Sequence, residues 1–368
     1  MFKIKMRTFF VHLRNLDWII IGSSLLLVGI GLLSLYSSSM GRGDFTNFTK
    51  QTVFLIVGLV IMLAVSFLNY RLFKNDPYFL VFLWGLGVLA LVGLLLFGPE
   101  TRGVKAWYKI GGISIDPVEY MKIVLLLLMA KYFSLRHVEM YRIQHIILSA
   151  IYFGVPFALV FFQPNLGSGG LLILLWLIIL LVSGLKLRHF LAIMALGVIF
   201  ATLAWTFVLH DYQKSRIISF LEPELDPLGI GWSQLQSKIA IGNGGIWGTG
   251  IGKGTQTQHG FLTEPHTDFI FSAIGEEFGL VGIGTVFILF FVLLWRVFKI
   301  GIMAESNFPR LFSIGFGALL IIQFAVNIGM NIGFLPIVGL PLPFVSYGGS
   351  SLLMLFFGLG VLQSIKTR

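Results

Sequence analysis

Cysteine is absent from the 368-residue chain, which excludes disulfide frameworks, zinc-thiolate sites, iron-sulfur clusters and cysteine nucleophiles. Charge is scarce as well. Charged residues make up 11% of the chain, against about 25% in an average soluble protein. The seven histidines include no pair four residues apart with an intervening glutamate, so a zincin is excluded. No G-x-S-x-G nucleophile elbow occurs. What the chain does have is hydrophobic residues, 57% of the total, with a mean hydropathy of +0.91. Runs such as 86–97 and 171–182 approach the ~20 residues that carry a helix across a bilayer. The composition therefore predicts an all-α, polytopic integral membrane protein. A net charge of +10 raises nucleic-acid binding, but the cations sit at the ends of apolar segments, where membrane orientation accounts for them.

Runs of apolar residues give ten spans, at about 17–36, 52–69, 78–97, 117–133, 144–162, 169–185, 189–209, 267–295, 311–331 and 348–364. The first has no A-x-A cleavage pattern after it and reads as an uncleaved span. With a cytoplasmic N-terminus, sixteen Lys and Arg fall on the inner side and nine on the outer, with Lys122 inside a span. The positive-inside rule therefore predicts cytoplasmic termini at both ends. Residues 211–266, between spans seven and eight, form one large extracytoplasmic loop within a single domain, 1–368. Its Trp232, Ile239, Ile241, Trp247, Phe261 and Leu262 predict order, partly as short helices around 232–242.

Within that loop, residues 242–254 (GNGGIWGTGIGKG) hold seven glycines. The Walker A spacing fails, because the required first glycine falls on Trp247. The run reads as a turn region whose backbone approaches a membrane surface or an anionic headgroup. Asp268 lies at the mouth of span eight, in a polar His-Thr-Asp triplet. Two readings stay open for it: a helix cap provided by Thr267 or Asp268, or a catalytic carboxylate. At 100° per residue, Glu276 lies about 80° from Asp268 and Glu277 about 180° away, so only Glu276 is placed to share a cavity with Asp268. Arg102, Lys105 and Lys109 run against the inside bias. They suit either an anionic lipid substrate or ordinary headgroups. Glu119 and Lys122, spaced i, i+3, pair on one helix face as a structural contact or as cavity lining. His266 reads as a polar loop residue rather than a metal ligand.

Several segments then resemble one family. Residues 327–351 (NIGMNIGFLPIVGLPLPFVSYGGSS) are similar to the signature of the SEDS proteins, the RodA/FtsW/SpoVE group, with Phe334 in place of a smaller aliphatic residue. Residues 216–227, 236–256 and 264–282 follow in the family's order, and 117–123 (PVEYMKI) resembles its P-S-E-x-x-K motif. Short tails and compact length resemble the RodA branch. The resemblance implies a peptidoglycan glycosyltransferase of the bacterial cytoplasmic membrane. It would polymerise lipid II with a class B penicillin-binding protein and other elongation-complex proteins as partners. It also implies an essential role for Asp268, and a place beside a central cavity for Glu119 and Lys122. At 163–168 the chain has Q-P-N-L-G-S where the family commonly has Q-P-D-L-G-T, so no role passes to Asn165 as a carboxylate.

A polyprenyl-diphosphate sugar already carries its leaving group, so the protein must orient a hydroxyl, accept its proton and neutralise the diphosphate. Asp268 is the expected base in an inverting reaction. Arg102, Lys105, Arg216, Lys238, Lys253 and His266 are expected at the substrate, together with Glu119 and Lys122. A divalent cation, Mg or Mn, is a further candidate; the ligand set is not legible, and no organic cofactor is expected. The rival readings are a flippase for the lipid-linked precursor, which the 335–343 break would suit, and a scaffold that anchors a partner enzyme.

Overall fold

The computed structural model describes residues 11–76, 78–100, 104–135, 143–209, 211–222 and 229–368. Its elements are α1 (Trp18–Arg42), α2 (Thr46–Phe67), α3 (Arg71–Asn75), α4 (Phe79–Phe97), β1 (Tyr108–Ile110), β2 (Ile113–Ile115), α5 (Pro117–Ser134), α6 (Ile143–Phe162) and α7 (Leu166–Val182). These are followed by α8 (Leu187–Phe207), α9 (Asp211–Leu221), α10 (Ile230–Asn243), α11 (Thr255–Gln258), α12 (Ile270–Met303), α13 (Asn307–Ile332) and α14 (Gly349–Lys366). The chain is an all-α polytopic membrane protein; among the described residues the one small sheet is the antiparallel β1–β2 hairpin, with Tyr108 opposite Ile115. A helix lies at each of the ten expected spans. Eight are long and apolar enough to cross a membrane. The other two are α7, at 17 residues, and α5, which carries Glu119, Lys122 and Lys131.

Helix starts follow from local chemistry. Asp17 accepts from the Ile19 and Ile20 amides and caps α1. Asp116 accepts from Val118 N, with Pro117 in the first turn of α5. Asn165 accepts from Ser168 N and caps α7. In each case a short polar side chain satisfies an orphan amide of the first turn. The departure from the family pattern at Asn165 thus leaves a working cap.

Burial is uneven. In α13 and α14 most of the apolar span is buried, at 67% and 72%, whereas in α8 only 6% is. Phe308, Phe312, Phe316 and Phe356 are wholly buried in the core that these two inner helices share with α2, α5 and α12. Small residues allow the close approaches that membrane helices need. Gly58 lies against the Phe356 ring, and Gly358 against that of Phe316.

Asp17 joins three elements at one end of the bundle. Its amide donates to Gln363 Oε1 at 2.7 Å, and Gln363 Nε2 donates back to the Asp17 carbonyl at 3.1 Å. Arg296 and Lys366 both pair with its buried carboxylate. The start of α1 and the end of α14 therefore share one face, the terminal face. The described residues of 211–266 lie at the opposite loop face. They are ordered as expected where described, with α10 covering the anticipated 232–242 helix.

The eighth span departs from expectation. α12 starts at Ile270, after an N-cap position, Phe269, that has no side-chain cap bond. Neither Thr267 nor Asp268 occupies that N-cap position, and Asp268 precedes the first turn. The helical path is also broken at Gly279, with φ 63° and ψ −160°.

Candidate active site

Asp268 sits in a three-residue strap whose carbonyls are each held. Tyr347 N donates to the His266 carbonyl at 2.8 Å. Ser346 Oγ donates to the Thr267 carbonyl at 2.6 Å. Asn331 Nδ2 and Asn327 Nδ2 donate to the Asp268 carbonyl at 2.9 and 3.2 Å. Fixing consecutive backbone groups from α13 and from the 335–347 segment removes the freedom a loop carboxylate would otherwise have. The half-buried Asp268 side chain faces the 335–343 break: a methyl group added at Gly339 would lie 3.7 Å from Asp268 Oδ2. Asn327 Nδ2 also donates to the Leu340 carbonyl at 2.8 Å, tying that break to the strap. On its other side the break touches the start of α7, where Gly167 lies against the Val338 carbonyl.

Glu276 does not share the Asp268 cavity. It is wholly buried and accepts from Gln256 N at 2.8 Å, Thr257 N at 3.0 Å and Thr257 Oγ1 at 2.7 Å. The angular expectation failed because it ran helical periodicity through residues 268 and 269, which precede the helix. Glu277 turns to the end of α1, where Ser37 Oγ and Gln258 Nε2 donate to it. The two carboxylates brace α11 and α1 behind the strap.

The Gly-rich run has a structural explanation. At the Gly279 break, Thr249 N and Gly250 N donate to the carbonyls of Glu276 and Glu277 at 2.9 and 3.0 Å. Leu280 N and Val281 N donate to the carbonyls of Gly245 and Ile246 at 2.9 and 3.1 Å. The run thus caps both half-helices, satisfying groups that a broken membrane helix would leave bare. Gly248 is required here: its φ is +83°, and a Cβ would lie 2.1 Å from the Glu277 carbonyl oxygen. The Thr249 and Gly250 amides are committed to protein carbonyls, so at the break the run approaches another backbone.

Glu119 and Lys122 pair as their spacing predicts, at 2.6 Å, with side chains 9% and 2% exposed. Just before them stands Asp116, which the sequence reading passed over. Its amide donates to Ser350 Oγ at 3.0 Å. Burial, reinforced by the neighbouring Glu119 charge, pushes its carboxyl up to about 7.

The predicted cations are placed unevenly. Lys105 Nζ donates to the Leu95 carbonyl at 3.3 Å. Arg216 is half-buried on α9, and Lys253 is exposed in the Gly-rich run. Lys238 is exposed with its stem beside Gly333. Its neighbour Ser237 donates to the Asn331 carbonyl at 2.7 Å, so Lys238 adjoins the Asp268 frame. His266 is buried, with Nδ1 2.9 Å from Ser38 Oγ. Arg102 lies outside the described residues. Asn327, Asn331 and Ser346, whose side chains build the strap, lie in the 327–351 signature, where sequence alone assigns them no role. Among the described residues no three His, Asp or Glu side chains gather as a metal-ligand set. The described side chains alone therefore do not supply a ligand set for a divalent cation.

Comparison with known proteins agrees with this architecture. The family model for cell cycle proteins of the FtsW/RodA/SpoVE type matches residues 17–368. Escherichia coli peptidoglycan glycosyltransferase MrdB is 37% identical over 357 residues, covering 96% of this chain and 95% of the relative. A chain of a peptidoglycan synthase complex, solved for its coordination of polymerization and crosslinking, superposes with a TM-score of 0.81 at 30% identity, covering 95% of this chain and 97% of its own. Thermus thermophilus rod shape determining protein RodA superposes at 0.70 with 28% identity, covering 95% and 96%. The chain therefore belongs to the FtsW/RodA/SpoVE family.

Proposed function

We propose that the chain is a peptidoglycan glycosyltransferase that polymerises lipid II into β-1,4-linked glycan, with Asp268 as general base. The observation that carries this reading is the strap itself: one carboxylate at the loop face, its backbone held at three successive carbonyls, facing the Gly339 break. A base must be held within reach of the proton it removes, and a fixed carboxylate meets that need. In the proposed step, Asp268 takes the proton of the acceptor's 4-hydroxyl as its oxygen bonds to the donor's anomeric carbon. The bond from that carbon to the diphosphate oxygen breaks, inverting the α configuration to β. The polyprenyl diphosphate leaves with the electron pair, and cations such as Lys238 and Lys253 offset its charge.

A diphosphate-linked lipid donor implies the outer leaflet of a bacterial cytoplasmic membrane. The terminal face is then cytoplasmic, in line with the Lys and Arg bias. A class B penicillin-binding protein is the proposed partner. Support comes from the solved relative, whose complex coordinates polymerization with crosslinking.

The test is polymerisation of fluorescent lipid II by the reconstituted chain with its transpeptidase partner, resolved as glycan ladders. Native protein should give polymer, whereas folded Asp268→Ala and Asp268→Asn should give none. Full activity in Asp268→Asn would remove the base assignment. Precursor transport across liposomes without polymer would establish a flippase instead.

A further inference from the structure

The Gly-rich run leaves two large apolar side chains outward at the Gly279 break: Ile246 is 61% exposed and Trp247 81%. Their backbone position is fixed, because the Gly245 and Ile246 carbonyls cap Leu280 N and Val281 N, the first amides of the long half of α12. From there an exposed apolar stripe, Val281, Ile288, Phe291 and Trp295, descends that half-helix at helical spacing. In a membrane-spanning helix this face meets acyl chains. Its lower end is marked by Trp295 beneath the ammonium of Lys299, 5.4 Å from the ring centroid, a pairing suited to an interfacial belt. From Lys299 up to Leu280, at about 1.5 Å per residue, the helix rises about 28 Å, close to the ~30 Å thickness of a hydrocarbon core. The upper boundary of that core therefore falls at the break, level with Ile246 and Trp247.

We propose that the Ile246–Trp247 turn is an interfacial anchor that inserts into the lipid at the loop-face boundary between headgroups and acyl chains. Ile246 extends the acyl-facing stripe past the end of the helix, and the indole, apolar in body with one N–H donor, suits the headgroup level. Two residues after the turn, Thr249 N and Gly250 N cap the half-helix that carries Glu276 and Glu277, so the anchor sets the depth of the Asp268 strap relative to the membrane surface. This inference rests on the membrane-spanning fold and not on the proposed chemistry.

Because the chain has no cysteine, nitroxide labels can be placed one at a time in the full-length protein. Trp247→Cys and Ile246→Cys would be compared with Phe291→Cys on the stripe and His259→Cys on the exposed loop. Each labelled protein is reconstituted in phosphatidylcholine–phosphatidylglycerol nanodiscs, and collision with oxygen and with a water-soluble nickel chelate is measured. At 246, 247 and 291 oxygen collision should exceed nickel collision several-fold, with the reverse at 259. Nickel access at 246 and 247 equal to that at 259 would place the turn in water and overturn the proposal. Protection from both reagents would also overturn it, by showing protein cover from a second copy. Retained oxygen access at Phe291→Cys verifies insertion of the helix independently of the variants in the turn.

Discussion

The side-chain amide of Asn331 joins the last turn of α13 to the catalytic candidate, donating to the Asp268 carbonyl at 2.9 Å. Its Oδ1 accepts from Ser272 Oγ at 2.6 Å, holding the start of α12 in the same grip. Asn331→Leu strips both connections while leaving the Asp268 carboxylate in the chain. Removing a hydrogen-bond partner from a buried polar group costs about 1–3 kcal/mol, and a misplacement of about 1 Å at a reacting group can cost 10²-fold in rate. The expected outcome is a kcat about 10²-fold lower with KM little changed, read from initial polymerisation rates. A variant that loses thermal stability yet keeps its kcat would show that the bond serves the fold alone.

The Glu119–Lys122 pair separates structure from chemistry when its members are removed together. Losing one partner of a buried ion pair typically costs about 3–5 kcal/mol, because the other charge is left bare, whereas apolar replacement of both is often near neutral. Lys122→Met alone should therefore lower the thermal midpoint strongly, and Glu119→Gln/Lys122→Met should recover most of it. Activity of the recovered double variant then decides the role. Polymer at the native rate makes the pair structural, and loss of polymer from a stable protein makes it cavity chemistry.

The ten spanning helices were legible because apolar length is a local signal, broken by charge, Pro or Gly at each end, whereas the caps that start three of them, Asp17, Asp116 and Asn165, emerged only with the structure. The i, i+3 pairing of Glu119 and Lys122 is local in the same way. The function of the Gly-rich run was not, since its hydrogen-bond partners lie about thirty residues downstream, at a break that Gly279 hides inside an unbroken apolar pattern. Asp268 was identified by motif, but its setting was misread because periodicity was extended through residues that are not helical. The asparagines that fix it act across tertiary contacts, which carry no spacing signal.

Asp116 predicts a pH-dependent stability. Burial and Glu119 raise its folded carboxyl to about 7, well above its ordinary carboxylate value, so between those values the folded state binds more protons than the unfolded one. Stability from this group is thus full at low pH, declines as pH rises toward 7, and is lost above it. Asp116→Asn keeps a side-chain oxygen to accept from Val118 N but cannot ionise. Its thermal midpoint should exceed that of the native chain at pH 8, with the difference shrinking by pH 5. An equal difference at both pH values would contradict the raised carboxyl.

Two glycines six residues apart should respond oppositely to the same substitution. Gly242 lies within α10, and a Cβ there meets nothing within 4 Å. Gly242→Ala should stabilise by up to about 1 kcal/mol through reduced backbone freedom in the unfolded chain. At Gly248 the backbone is left-handed at φ +83°, and a Cβ would collide with the Glu277 carbonyl oxygen at 2.1 Å and Phe278 N at 2.6 Å. Those are backbone atoms, which cannot rotate aside as a side chain would, so the capping turn itself must move. Gly248→Ala should cost about 1–3 kcal/mol in strain and lower polymerisation as well, since the displaced turn no longer closes the Gly279 break behind Glu276 and Glu277. Thermal unfolding of both variants in one detergent checks the signs. Matching shifts in the same direction would mean that the run is a passive linker and that the break is closed by something other than its backbone.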